Sequence, residues 1–125
     1  MSNLKDVCID CADPWTLGHW WAETLLYRVR PHTAQDIEKL HALGVDRIED
    51  DESIAVDPVD EQGPGFWFLK VPEPKSAKNR IHVDVFGDVD ALTRRGATVV
   101  AALDDWVVMH DPEGNEFCVF PYDVR

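Results

Sequence analysis

Long hydrophobic runs are missing from this sequence. No apolar stretch approaches the roughly 20 residues that span a bilayer, so no membrane association is expected. The opening MSNLKDVCID lacks the charged-then-apolar order of a secretory signal, and a cytoplasmic protein is the expectation. Cysteine is scarce and odd in number, with only Cys8, Cys11 and Cys118, which suits a reducing compartment better than a disulfide framework. Basic residues are outnumbered: 12 Lys and Arg against 24 Asp and Glu leave a formal charge of -12. Such a surface repels phosphate backbones, so no nucleic-acid partner is expected, whereas cationic ligands are attracted. The serines lack a G-x-S-x-G context and no glycine loop can cradle a phosphate, which removes a hydrolase triad and a nucleotide loop.

What is present supports one ordinary domain. The 125 residues are 45% hydrophobic and include five tryptophans, enough to build a core. Much of the acidity sits in DRIEDDESIAVDPVDE (46–61), which reads as a solvated loop face. In LKDVCIDCA (4–12) Val7, Ile9 and Cys11 alternate with Asp6, Cys8 and Asp10, a strand pattern. Asp13-Pro14 offers an N-cap and a proline at the first helical position, and WTLGHWWAETLLY carries Leu17, Trp20, Trp21 and Leu25 on one stripe. Arg28 to Arg30 suggest a short strand. Thr33 opens a second helix closed by Gly44, whose Ile37, Leu40 and Leu43 are expected to pack onto something.

A strand near 53–59 and a strongly strand-like GFWFLKV follow. The segment 72–79, PEPKSAKN, is the best linker. Beyond it RIHVDVFG reads as a strand, DVDALTRRG as a short helix, and ATVVAAL, DWVVMHD and EFCVFP as three more strands. The halves repeat each other as strand, helix and three strands, with VDPVDEQGPGFWFL echoed by HDPEGNEFCVF. Neither βαβββ unit buries its own sheet alone, so an α+β protein with one cupped sheet is expected. The boundaries are a single domain over 1–125, with a first unit 4–71 holding the extra helix 33–44, the linker 72–79 and a second unit 80–122.

The stretches VCIDCADP, GFWFLKVPEPKSAKNRIHVDV and WVVMHDPEGNEFCVF resemble the vicinal oxygen chelate superfamily, and most of all its glyoxalase-like domain branch, over nearly the whole chain. That superfamily also holds the extradiol dioxygenases and the bleomycin- and fosfomycin-resistance proteins. The resemblance implies two βαβββ repeats in one U-shaped mixed sheet, a small-molecule ligand in its cup, and a homodimer. Metal-bearing members take ligands from the first and last strand of each unit. Matched residue by residue, those places fall at Asp6, Trp67, His82 and Cys118, and Cys118 stands where a glutamate is usual. Tryptophan does not ligate, and oxygen-preferring metals do not favour thiolate. Asp6, His82 and Cys118 are therefore candidates for a mixed zinc set, while the leading expectation is a site with no obligatory metal.

Read by themselves, His82 and Asp84 share one strand face with Phe86, and a carboxylate beside an imidazole suits proton transfer or ligand recognition. They are the candidate catalytic pair. Asp6 and Asp10 share a face and suit acid–base work or an ammonium ligand; Trp67, Phe86, Cys118 and Phe120 are expected as pocket walls. Cys8 and Cys11 are three apart on a strand, face opposite sides and are expected to be structural. Trp20, Trp21 and Trp106 are assigned to packing, and His19, His32, His41 and His110 are not expected to be ligands. Lys78-Asn79-Arg80 either holds an anion or caps a turn. Three functions follow: binding or transforming a small organic molecule; metal-dependent lyase, isomerase or dioxygenase chemistry through His82; and sequestration of a cationic compound.

Overall fold

The alternation in DVCIDC becomes β1 (Asp6–Cys11), which runs parallel to β4 (Gly65–Lys70) with Cys8 opposite Trp67. A parallel pair needs a crossover, and α1 (Pro14–Leu25) begins it. The computed structural model describes residues 1–122 and divides into two compact units, Met1–Pro74 and a second from Lys75 onward. In the first, β2 (Tyr27–Val29), β3 (Ser53–Pro58) and β4 pair antiparallel, giving the order β1-β4-β3-β2. The second repeats this plan with β5 (Val83–Phe86), α3 (Val89–Arg94), β6 (Thr98–Ala102), β7 (Val107–His110) and β8 (Glu116–Phe120) in the order β5-β8-β7-β6. β5 lies parallel to β8, and the other pairs are antiparallel. The α+β class and the doubled βαβββ topology are both present.

Local chemistry explains the helices. Asp13 caps α1 by accepting from the Thr16 N–H at 3.1 Å, with Pro14 just behind it. The helix ends at Leu26, a left-handed residue with φ 56° whose N–H reaches the Ala22 carbonyl. One face of the first sheet buries Ile54, Val56, Phe66 and Phe68, and α1 covers it with Leu17, Trp20 and Trp21. Gly18 permits the approach: a Cβ there would meet Ile54 Cγ2 at 3.1 Å and Phe68 Cδ2 at 3.4 Å. In the second unit Val85, Met109, Phe117 and Val119 are buried together with Leu92 and Ala97. Each such side chain contributes about 1.5–3 kcal/mol.

Two expectations change, the packing of the second helix and the start of β5, and two details are new. The helix α2 (Ala34–Ala42) forms under a Thr33–Asp36 capping box, yet it buries no residue. Ile37 and Leu43 are exposed, and only Leu40 is half-buried, so the apolar stripe does not pack as expected. The acidic stretch contains a 3-10 turn at Ile48–Asp50. The strand expected from Arg80 starts at Val83, because its parallel partner begins only at Glu116. Finally, β6 carries a register shift between Val99 and Ala101.

The turn in HDPEGNEF is organised by Asp111, a buried carboxylate. Its Oδ1 accepts from the N–H groups of Glu113 and Asn115, both at 2.9 Å, while Asn115 Nδ2 reaches Oδ2 at 3.0 Å. Gly114 supplies the positive φ of 83° that closes the turn. This turn delivers β8 in the register that places Cys118 beside Asp84.

Candidate functional site

Cα partners in paired strands present their side chains on one side. The register Asp84↔Cys118 and Phe86↔Phe120 therefore puts these four on the same face of the second sheet, opposite the face that buries Val85, Phe117 and Val119. His82 lies just before β5. Its Nδ1 is 3.3 Å from Asp84 Oδ1 and 4.0 Å from Cys118 Sγ. The expected catalytic pair is thus in ion-pair range, with 38% of the His82 side chain and 55% of Asp84 exposed. Cys118 is buried, and burial pushes its thiol up, helped by the neighbouring Asp84 carboxylate. Phe86 is exposed, and Phe120 is half-buried under Trp106, whose ring stacks on it at 5.7 Å. Trp106, expected only to pack, belongs to this face.

His82, Asp84 and Cys118 bring one donor atom each to within 4.8 Å of one another. In the expected metal set Asp6 held the place that Asp84 takes in this cluster. Bonds of about 2.0–2.3 Å to a tetrahedral zinc separate its ligands by about 3.5 Å, close to the 3.3 and 4.0 Å found here. An imidazole, a carboxylate and a thiol also suit zinc and not magnesium or manganese. The residues fit the ion.

Below Cys118 on the same face, Glu116 fastens the closing strand. Its carboxylate accepts from the Asn79 N–H at 2.9 Å and Lys75 Nζ at 3.0 Å, with His110 Nε2 at 3.8 Å. Burial alone would raise this carboxyl; the Asn79 and Lys75 hydrogen bonds outweigh it and bring it down to about 2. Asn79 Nδ2 also donates to Asn115 Oδ1, so this part of the Lys78-Asn79-Arg80 segment ties the approach to His82 onto the final turn.

Asp6, Asp10 and Trp67 lie in the first unit. Asp6 takes Lys5 Nζ at 2.6 Å and the Trp67 indole N–H at 3.3 Å, and the Lys5 hydrogen bond leads the causes that hold its carboxyl below the usual range. Asp10 is exposed. Over the Trp67 ring sits the Arg30 guanidinium, 5.1 Å from its centre, forked onto Asp57 by two 2.8 Å hydrogen bonds. Hydrogen bonding to Asp57 pushes Arg30 up and holds Asp57 down.

Beside Trp67 is a pair that the sequence reading passed over: His32 Nε2 and Asp51 Oδ2 are 2.8 Å apart, with 10% and 18% of their side chains exposed. No local signal announces it, since the partners are 19 residues apart and an acidic loop intervenes.

Comparisons with known proteins agree with this architecture. A family model described as a glyoxalase-like domain matches residues 6–120. Among solved structures, fosfomycin resistance protein FosX from Mesorhizobium loti is similar at 8% identity, with 99% of this chain and 94% of that one covered and a TM-score of 0.65. A glyoxalase/bleomycin resistance protein/dioxygenase family enzyme from Burkholderia phytofirmans PsJN is 15% identical over 94% and 97% of the two chains, with a TM-score of 0.61. TioX from Micromonospora sp. ML1 is 18% identical over 98% and 100%, with a TM-score of 0.56. At these identities the likeness speaks for the fold. No curated protein matches.

Proposed function

The chain belongs to the glyoxalase-like domain family, and from that premise we propose that it binds a small organic molecule and moves a proton on it through His82, with no obligatory metal. The observation that carries this reading is the 3.3 Å His82–Asp84 pair on the strand face shared by Phe86, Cys118 and Phe120. Asp84 orients the imidazole through Nδ1, which leaves Nε2 for the ligand. The aromatic side chains offer apolar walls. Asp6, Asp10 and Trp67 are proposed as further ligand-binding residues on the first sheet. Proton transfer is tested by solvent-deuterium incorporation into a panel of small carbonyl compounds. Incorporation that falls at least about 100-fold in His82→Ala supports the reading; undiminished incorporation in that variant sinks it.

A zinc-dependent lyase, isomerase or dioxygenase is the second reading, favoured by Cys118 as a third donor. His82, Asp84 and Cys118 would hold the ion, which when bound acts as a Lewis acid on substrate oxygens. Because burial keeps a proton on Cys118, that proton leaves on metal binding, and occupancy should rise with pH. Stoichiometric zinc in the purified protein, lost in His82→Ala, would replace the metal-free reading.

Sequestration of a cationic compound draws support from a cavity of about 580 Å³ bordered by Trp106, Phe120, Asp88, Asp104 and Asp105. Salt-sensitive binding of a cationic aromatic with no turnover would favour it. We further propose a cytoplasmic homodimer. The edge strand β6 supports pairing, since TVVAA is uncharged and leaves Val99 and Val100 half exposed. Light scattering reads the oligomeric state.

A further inference from the structure

Helix α2 is held by its own ends and not by the body of the first unit. The Thr33–Asp36 capping box closes its start, and none of its residues is buried. At its other end the Val45 N–H returns to the Leu40 carbonyl at 2.9 Å, a cap that Gly44 permits with its φ of 81°. Toward the sheet the helix presents Leu40 and Asp36, both half-buried, across a cavity of about 240 Å³ from Trp67, Ala55 and Ser53. Ile37 and Leu43 add apolar surface that stays in water.

The base of the segment is fixed by contrast. The Arg30 N–H donates to the Ala55 carbonyl at 2.8 Å, and His32 Nε2 stands 2.8 Å from Asp51 Oδ2. Asp51 Oδ1 in turn accepts from the Ser53 N–H at 3.0 Å, and the His32 ring lies 6.4 Å from that of Trp15 at the start of α1. Residues 33–50 therefore leave and rejoin the sheet through a pinned neck, while the helix between contributes nothing to the core. After Val45, Asp46 and Arg47 are exposed and belong to no helix or strand before the turn at Ile48–Asp50. A self-capped helix with no buried side chain, joined by such links to a fixed base, moves more readily than the core beneath it.

We propose that α2 is a hinged lid over the first sheet. Its body is Thr33–Val45, and it pivots between His32 and Thr33 and at Asp46–Arg47. The structure is the open form, and closing sets Leu40 against the Trp67 side of the cavity. The lid rests on the reading that the face of Asp6, Asp10 and Trp67 takes the ligand, and adds how that face is shut off from solvent. Closure buries apolar surface of Leu40, which favours it, and expels the water that fills the gap. The Arg30 guanidinium borders the same cavity, so its fork on Asp57 strengthens as water leaves.

The test reads motion in the ligand-free full chain. NMR relaxation dispersion should show exchange at 33–47 and, across the gap, at Ser53, Ala55 and Trp67, with α1 quiet. Leu40→Ala shortens the side chain that closure buries and should cut the closed population about tenfold. Glu38→Gln lies outside the cavity lining and should leave it unchanged. Closure faster than that window is caught by a nitroxide on His41→Cys in a Cys8→Ser background, where Cys11 and Cys118 are buried. Amides 8–10 of β1, the strand beyond Trp67, should then broaden more than the open geometry allows, and less once Leu40→Ala is added. Flat dispersion with no excess broadening, or exchange undiminished by Leu40→Ala, would overturn the lid. A static helix removes the lid and leaves the sheet-face reading intact, whereas closure on a face that takes no ligand removes that reading alone.

Discussion

Replacing Glu116 by glutamine tests how the closing strand holds the segment that leads to His82. The native carboxylate takes two charge-assisted hydrogen bonds, from the Asn79 N–H at 2.9 Å and Lys75 Nζ at 3.0 Å. Lowering the carboxyl from 4.5 to about 2 corresponds to about 3 kcal/mol at about 1.4 kcal/mol per pH unit. Lys75 keeps 26% of its side chain in solvent, and screening there brings the expected loss to about 2 kcal/mol. The sign follows from the depressed folded-state value. The stabilisation is present above pH 4.5 and is lost as pH falls toward about 2. Urea denaturation should therefore show Glu116→Gln less stable by about 2 kcal/mol at pH 7, with the gap closing near pH 2.5. The His82 ring resonances should move as well, since Asn79 lies three residues upstream. A gap below about 0.5 kcal/mol at pH 7, or one independent of pH, would refute the reasoning.

Three further outcomes are expected. Phe68 is fully buried at the centre of β4, so Phe68→Ala should cost about 3–5 kcal/mol in chemical denaturation. Leu26 holds a φ of 56° with its side chain in solvent, and Leu26→Gly should stabilise by about 0.5–1 kcal/mol, raising the melting temperature a few degrees. Cys8 is exposed while Cys118 is buried with its thiol pushed up by burial and by Asp84; iodoacetamide at pH 8 should label Cys118 at least about tenfold more slowly, and Asp84→Asn should speed it.

Strand alternation and turn chemistry make the doubled topology legible in the sequence. DVCIDC alternates, GFWFLK and EFCVF are runs of aromatic and aliphatic residues bounded by turns, and Asp13-Pro14 announces α1. Helix α2 was half legible. Its capping box forms as the sequence suggests, but an apolar stripe says nothing about whether a partner surface exists, and Ile37 and Leu43 are left in water. The start of β5 differs from the expected Arg80 for a similar reason. RIH continues the alternation, yet a strand needs a ladder, and β8 supplies none before Glu116.

The candidate site separates by range. His82 and Asp84 are two residues apart, so alternation alone puts them on one face, and their 3.3 Å approach follows. Cys118 enters only through the family resemblance, and its closeness to His82 is a property of the parallel β5–β8 pair. The His32–Asp51 pair depends on neither period nor repeat. It exists because β2 and β3 lie side by side, with the Arg30 N–H on the Ala55 carbonyl at 2.8 Å, which brings the residues flanking both strands together. A histidine judged by its neighbours in sequence looks idle; judged by its neighbours across a strand pair, it faces a carboxylate.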